Sequence, residues 1–137
     1  MLHFMAATGK IMAVDDEFDI IFVIRMYLEK WGFDVETFTN PLYALEKFKE
    51  NPEQYSLLLT DIRMPEMTGI RLARLVQEIK PSMKVVIMTA YEVTPDELNE
   101  HLPTISHEDI LRKPFRLLQI CTAVKKQLQI TKTRNKR

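Results

Sequence analysis

The chain has 137 residues, 46% of them hydrophobic and 28% charged, which is the composition of one ordinary globular domain. No apolar run reaches the roughly 20 residues of a membrane-spanning helix, and the N-terminus lacks the basic start and apolar stretch of a signal peptide. Cys121 is the single cysteine, which excludes an internal disulfide, so we expect a cytoplasmic protein without membrane contact.

The net charge of zero hides an uneven distribution. The last 13 residues carry six bases and no acid, which leaves 13 bases against 19 acids in residues 1–124. A basic tail can contact nucleic acid or an acidic partner, but a solvated chain end is the more frequent case. We therefore predict a flexible N-terminal segment (1–8), one domain (9–129) and a basic tail (130–137), and we expect no nucleic-acid contact within the chain.

The first half of the chain alternates between strand and helix patterns. It predicts a strand at 10–14, a helix at 18–31, a strand at 33–38 and a helix from Pro41 to about Lys49. Gly32 is a typical residue to end the first helix. Asn40 is a typical N-cap before a proline at the first helical position of the second.

The second half continues this alternation. It predicts a leucine-rich strand ending at Asp61, a helix at 69–79, a strand at 84–90, a short helix from Thr94, a weak strand at 109–111 and a helix from Phe115 to about Gln129. The apolar faces expected on the 69–79 helix and on the last helix comprise Leu72, Leu75, Val76 and Ile79, and Leu118, Cys121, Val124 and Leu128. The strands are too apolar to have a solvated face. Five β-then-α units therefore predict a single doubly wound α/β domain, a five-stranded parallel sheet with helices on both faces.

Polar side chains collect where the predicted strands end. Asp15 and Asp16 follow the first strand, Asp61 ends the third, Thr89 lies near the end of the fourth, and Lys113 follows the last. Because parallel strands end at one edge of a sheet, we expect these side chains to converge. Crowded aspartates repel one another unless a cation neutralises them, and carboxylate oxygens suit Mg²⁺. With Mg²⁺ bound, Asp61 could attack a phosphorus centre while Thr89 and Lys113 stabilise the anionic oxygens.

Four short motifs together resemble a known family. VDDE at 14–17, TDIRMPEMTG at 60–69, MTA at 88–90 and KPF at 113–115 occur in the order and at the separations of response-regulator receiver domains. The resemblance covers about residues 9–129. It implies the flavodoxin-like receiver fold of chemotaxis regulators, and a signalling protein of two-component systems rather than an enzyme.

The resemblance also implies roles for the matching residues. Asp61 would accept a phosphoryl group from the phosphohistidine of a histidine kinase. The implied Mg²⁺ ligands are Asp16, Asp61 and the backbone carbonyl of Arg63, with Asp15 acting through water. Thr89 and Lys113 would contact the phosphoryl group, with a cis peptide bond before Pro114 positioning the lysine. The implied partners are a histidine kinase or phosphotransfer protein and a downstream protein, and a homodimer is a further option.

The sequence departs from the family pattern at positions that bear on the mechanism. Ile110 stands where the family usually has an aromatic residue, so the usual coupling of that residue to the threonine is not implied. The segment 91–109 lacks the small-residue stretch common before the last strand, which predicts an unusual partner interface. Arg63 and Tyr91 lie two residues beyond the aspartate and the threonine, and their bulk predicts slow self-dephosphorylation.

Three functions are compatible with these residues. A phosphorylation-controlled receiver is favoured by the complete set of acidic residues and the lysine. A pseudo-receiver, an interaction module that keeps the fold without using phosphate, is the alternative, and Ile110 and the altered 91–109 segment argue for it. A Mg²⁺-dependent phosphatase is least favoured, because such enzymes usually have a second aspartate where this chain has Arg63. With only three glycines, the chain has no glycine-rich phosphate-binding loop.

Overall fold

The structure, a computed structural model, describes residues 9–90, 110–113 and 117–135. The strands are β1 (Lys10–Val14), β2 (Asp34–Phe38), β3 (Tyr55–Asp61), β4 (Lys84–Thr89) and β5 (Ile110–Arg112). The helices are α1 (Phe18–Lys30), α2 (Pro41–Glu50), α3 (Gly69–Ile79) and α4 (Leu117–Asn135), with a short 3-10 turn at Pro52–Gln54. The helix predicted from Thr94 and the cis bond predicted before Pro114 lie outside the described residues.

The five strands form one sheet in the order β2-β1-β3-β4-β5, and every neighbouring pair is parallel. The predicted fold is therefore confirmed. The chain passes from β1 outward to β2, and later from β3 outward through β4 to β5. The connections after β1 and β3 thus leave the sheet in opposite directions, which opens a crevice at the carboxyl ends of these two strands.

Each face of the sheet has its own apolar core. Alternate residues of the central strands point to opposite faces: Ile11 and Leu57 lie in the core beneath α1 and α4, while Met12 and Leu58 lie in the core beneath α2 and α3. Cys121 is fully buried in the first core, as predicted, and burial raises the pKa of its thiol to about 11. No helix in the described part of the chain is long and apolar enough to cross a membrane.

The predicted helix ends are confirmed for the first two helices. Gly32 has a φ of 97°, and its N–H donates to the carbonyl of Glu29 while the N–H of Phe33 donates to the carbonyl of Leu28. This pair of bonds is a Schellman motif, which favours glycine in the left-handed position. At the start of α2 the Asn40 side chain accepts a hydrogen bond of 2.9 Å from the N–H of Leu42.

Three details of the sequence prediction are wrong. Leu118 is 52% exposed and Ile79 is 42% exposed, although both were predicted on apolar faces. Leu118 lies about 100° around the helix from Leu117, which is partly buried against the core, and Ile79 is the last residue of its helix. The last helix continues to Asn135 rather than ending near Gln129, because no glycine or proline follows to stop it.

Candidate functional site

The residues predicted to converge lie at the carboxyl ends of neighbouring strands. Asp15 and Asp16 come directly after β1, Asp61 is the last residue of β3, Thr89 is the last residue of β4, and Lys113 follows β5. The backbone N–H of Lys113 donates to the carbonyl of Thr89 over 2.6 Å, which fixes the start of the lysine side chain beside β4. Thr89 itself is buried.

Three carboxylates form the centre of the site. Asp15, Asp16 and Asp61 each offer an oxygen within 4.8 Å of the others. Asp15 is fully buried and Asp61 is 7% exposed, whereas Asp16 is exposed. Strand pairing ends at Val14, so Asp15 and Asp16 are free of the alternation that would send them to opposite faces. The cluster is therefore buried on one side and open to solvent at Asp16.

The two oxygens of Asp61 have different surroundings. Its Oδ1 accepts a hydrogen bond of 2.9 Å from the backbone N–H of Ile62, and its Oδ2 lies 3.5 Å from the Nζ of Lys113. Burial and the charge of Asp15 raise the pKa of Asp61, and Lys113 only partly opposes them. The site thus holds more negative charge than its own cation neutralises.

Lys113 is the ammonium group shared by these acids. Its Nζ lies 2.9 Å from the Oδ2 of Asp15, 3.5 Å from the Oδ2 of Asp61 and 3.8 Å from the Oε1 of Glu17. Burial lowers the pKa of Lys113, but the hydrogen bond and charge of Asp15, with the charges of Asp61 and Glu17, outweigh this effect and the pKa is raised. The ammonium is therefore charged at neutral pH and held by Asp15.

The loop after β3 packs against the backbone of Asp61. The N–H of Gly69 donates to the carbonyl of Ile62 over 2.8 Å, and the N–H of Ile62 donates to the carbonyl of Met88 over 3.2 Å. A Cβ added to Gly69 would lie 1.8 Å from the carbonyl oxygen of Asp61, so only glycine fits there. Arg63 lies in this loop with an exposed side chain. The loop and α3 thus hold the backbone of Asp61 in place.

The donor set fits a hard divalent cation. Among the described residues the site offers only oxygen ligands, one of them open to solvent, and Mg²⁺ prefers this combination of carboxylates and water. A cation there would relieve the repulsion that raises the pKa of Asp61.

The structure adds one acidic residue to the predicted set and locates one departure from the family pattern. No role for Glu17 was predicted, although it is the last residue of the VDDE motif, and its carboxylate lies near Lys113. Ile110 pairs with Ile87 and packs against the core beneath α2 and α3. An aliphatic side chain therefore occupies, beside β4, the position where the family usually has an aromatic residue.

Comparisons with known proteins agree on the family. The family model described as the response regulator receiver domain matches residues 11–125. The response regulator receiver protein CpdR of Brucella abortus is 37% identical over 119 residues, which cover 87% of this chain and 96% of the relative. The sporulation initiation phosphotransferase F of Bacillus subtilis is 33% identical over 123 residues, covering 88% of this chain and 94% of the relative.

Solved structures share the fold, and some relatives are longer. A receiver domain protein from Clostridium thermocellum is 30% identical with a TM-score of 0.76, covering 91% of this chain and 98% of that one. Two longer transcriptional regulators also match, and the chain spans 18% of one and 49% of the other.

Proposed function

The chain belongs to the response regulator receiver family of two-component systems, and we propose that it is a phosphorylation-controlled signalling receiver whose phosphoacceptor is Asp61. The observation that carries this proposal is the position of Asp61, at the tip of a buried strand beside two further aspartates and Lys113. Receivers are signalling proteins, so the only chemistry proposed is gain and loss of the chain's own phosphoryl group.

Asp61 supplies the nucleophile. Its Oδ1 is held by the Ile62 N–H, which leaves Oδ2 to attack the phosphorus of a phosphohistidine. The new O–P bond forms as the P–N bond breaks, and the electron pair of the broken bond stays on the histidine nitrogen. The product is an aspartyl phosphate on this chain and a free histidine on the donor.

Lys113 and Thr89 act on the transferred group. The Nζ of Lys113 lies 3.5 Å from the Oδ2 of Asp61, so it would pair with an oxygen of a phosphoryl group formed there. The hydroxyl of Thr89, at the end of the adjacent strand, would donate to another of these oxygens. Mg²⁺, held by Asp16, Asp61 and the Arg63 carbonyl with Asp15 acting through water, would supply the positive charge that neutralises the phosphoryl oxygens.

A protein phosphodonor is supported by the surface beside the site. Four side chains of α1 are apolar and exposed: Phe18, Phe22, Val23 and Met26. A cleft of about 540 Å³, lined in part by Val23 and Leu117, leads from this face to Lys113. An apolar face connected to Lys113 in this way suits a histidine kinase or phosphotransfer protein. The cytoplasmic location expected from the sequence stays a prediction.

The lifetime of the phosphoryl group is a further part of the proposal. The exposed Arg63 side chain lies two residues beyond Asp61, where it can hinder the approach of water. Tyr91, the second residue expected to do this, lies outside the described residues. We expect Arg63→Ala to shorten the lifetime of the aspartyl phosphate, and an unchanged, fast decay would contradict this role.

The alternative function is a pseudo-receiver that acts through protein contacts without phosphate. Ile110 favours it, because a receiver that lacks the usual aromatic residue also lacks the usual partner for a moving threonine. The two functions differ in whether Asp61 reacts.

Intact mass spectrometry after incubation with Mg²⁺ and acetyl phosphate tests the proposal. We expect one added phosphoryl group on the native chain and on Asp19→Asn, an exposed aspartate of α1 that serves as the matched control. Asp61→Asn and a sample treated with EDTA should stay unmodified. An unmodified native chain would favour the pseudo-receiver, and modification of Asp61→Asn would contradict the assigned acceptor.

A further inference from the structure

A second concave surface lies beside the loop that holds Asp61. It is a groove of about 730 Å³ between this loop and α3, here called the arginine groove, and its lining includes Ile62, Arg63, Met64, Ile70, Arg71 and Arg74. Apart from Arg63, whose bulk is proposed to hinder water, none of its side chains takes part in the proposed phosphoryl chemistry. Basic groups therefore line a surface that needs a separate explanation.

Two arginines of the groove have no carboxylate partner among the residues that the structure describes. Neither Arg71 nor Arg74 forms an ion pair within the part of the chain that the structure describes, and the Nε of Arg74 is buried without a hydrogen-bond acceptor. Glu78 lies four residues after Arg74 without pairing, whereas Arg25 and Glu29, at the same spacing on α1, form an ion pair of 3.2 Å. Arg71 is exposed and Arg74 is only partly buried, so their guanidinium groups can donate to a carboxylate that enters the groove.

Apart from Arg63 and Thr68, the rest of the groove's lining is apolar. Ile62, Met64 and Ile70 are partly buried and pack on the core beneath α2 and α3, so their outer surfaces form its floor. Guanidinium groups bind carboxylates through two parallel charge-assisted hydrogen bonds, which are stronger than hydrogen bonds between neutral groups. The groove thus combines a floor for an apolar side chain with a rim for carboxylates.

We propose that the arginine groove is a docking site for an acidic segment of a partner protein. One apolar side chain of the segment lies on the floor, and neighbouring Asp or Glu carboxylates pair with Arg71 and Arg74. An extended nucleic acid is less suited to this site, because the unpaired charges form one short stretch of a single helix rather than a long basic stripe.

Docking there would be coupled to the state of Asp61. The wall of the groove is the loop that starts at Asp61, and the contact between Gly69 and the Asp61 carbonyl ties α3 to the same backbone. A phosphoryl group or a cation that shifts this loop would change the affinity of the groove, and by linkage the partner would change the affinity of the site equally. This coupling rests on the proposed function, whereas the docking does not.

Peptide display against the full chain tests the docking. The probes are random peptides of about 12 residues, selected without Mg²⁺, and the enriched peptides are then synthesised for titration by fluorescence polarisation. We expect enriched peptides to carry acidic residues around an apolar one. The double variant Arg71→Ala/Arg74→Ala should bind them about tenfold more weakly or worse, and Arg25→Ala, the paired arginine of α1, should bind them as the native chain does.

Several outcomes overturn the proposal. A selection that enriches no acidic peptides would overturn it. A double variant that binds the enriched peptides as tightly as the native chain would also overturn it. Loss of a dimer in the double variant would assign the groove to a second copy of this chain. Peptide binding seen only after the six acids of residues 91–109 are changed to amides would assign it to that segment of the same chain.

Two further variants allow the result to be interpreted if the double variant fails to fold or if docking and coupling must be separated. If the double variant does not fold, judged by its thermal unfolding, the single change Arg71→Ala replaces it, because Arg71 is exposed. Asp61→Asn separates the two claims, since docking without Mg²⁺ should persist in it while any dependence on beryllofluoride, a mimic of the phosphoryl group, disappears. Docking that persists where beryllofluoride has no effect on the native chain would contradict only the coupling.

Discussion

At the amino edge of the sheet, the polar side chains of Lys80 and Tyr55 are paired with acceptors, whereas at the carboxyl edge the described carboxylates outnumber the ammonium group that faces them. These are called the matched edge and the unmatched edge. Lys80 donates to the backbone carbonyls of Pro52 and Tyr55, and the hydroxyl of Tyr55 donates to the Oε1 of Glu36 over 2.6 Å. Burial, followed by the hydrogen bond to Glu36, raises the pKa of Tyr55, so its hydroxyl stays a donor. Each of these donors thus has an acceptor within the described part of the chain.

The carboxyl edge also combines a lysine with acidic side chains, but its charges are not balanced. Among the described residues, the ammonium group of Lys113 faces Asp15, Asp61 and the more distant Glu17, while Asp16 adds a further negative charge. Matched groups stabilise a fold, whereas a surplus of one charge stabilises a bound ion or a transferred group. The comparison therefore separates a structural contact from a functional site without reference to sequence motifs.

The largest effect is expected at the matched edge. Tyr55 is fully buried, so Tyr55→Ala should lower the free energy of unfolding by about 3–5 kcal/mol. Tyr55→Phe, which removes only the hydroxyl, should lower it by about 1 kcal/mol. Urea denaturation measures both, and Mg²⁺ affinity of the folded Tyr55→Phe protein should be unchanged. A changed affinity would mean that the two edges are not independent.

The next largest loss of stability is expected at the contact between Gly69 and the backbone of Asp61. Gly69→Ala places a methyl group against the Asp61 carbonyl, so the free energy of unfolding should fall by about 3 kcal/mol, the upper end of the usual range for overpacking. The backbone must shift to relieve the contact, so phosphorylation by acetyl phosphate should slow as well. A Gly69→Ala protein with native stability and a native rate of phosphorylation would contradict the claim that this contact holds Asp61 in place.

Removing a negative charge at the carboxyl edge should raise the free energy of unfolding rather than lower it. Folding raises the pKa of the Asp61 carboxyl. The free energy of unfolding therefore falls as the pH rises from the pKa of this group in the unfolded chain to its pKa in the folded chain. Ionised Asp61 thus destabilises the fold at neutral pH. Asp61→Asn should therefore be more stable than the native chain without Mg²⁺. Mg²⁺ at ten times its dissociation constant should add about 1.4 kcal/mol to the native chain alone.

Thermal unfolding with and without Mg²⁺ measures both parts of this prediction. Asp19→Asn, at an exposed position, is the control, and it should behave as the native chain does. If Asp61→Asn were less stable than the native chain without Mg²⁺, the surplus of negative charge at this edge would be disproved.

The smallest effect is expected for the outermost acid. Glu17 is 62% exposed and 3.8 Å from Lys113, so Glu17→Gln should change the free energy of unfolding by no more than about 0.5 kcal/mol. Urea denaturation at low and at high salt measures it. A much larger change would show that Lys113 depends on Glu17 and not on Asp15.

Local signals explain why parts of this molecule are predictable from its sequence. The bounds of α3 were predicted correctly, because Pro65 and Gly69 precede a regular amphipathic pattern and Pro81 follows it. The convergence of Asp15, Asp61 and the other site residues followed from where buried strands end, since the ends of parallel strands share one edge. Both inferences use only neighbouring residues and a general rule of sheet geometry.

The rest depends on contacts between distant parts of the chain. The bond between Tyr55 and Glu36 joins residues 19 apart, and the bonds of Lys80 span 25 and 28 residues. No periodicity signals such pairs, so the matched edge could not be predicted. The exposure of Leu118 depends on the rotation of α4 against the sheet, which an apolar pattern fixes only approximately.

Trapping of the reaction product tests the assignment of Asp61 most directly. The native chain is incubated with Mg²⁺ and acetyl phosphate and then reduced with borohydride, which converts an aspartyl phosphate to homoserine, and the product is located by peptide sequencing in a mass spectrometer. We predict homoserine at position 61 and at no other aspartate. Homoserine at Asp15 or Asp16, or none anywhere in a folded chain that binds Mg²⁺, would contradict the account.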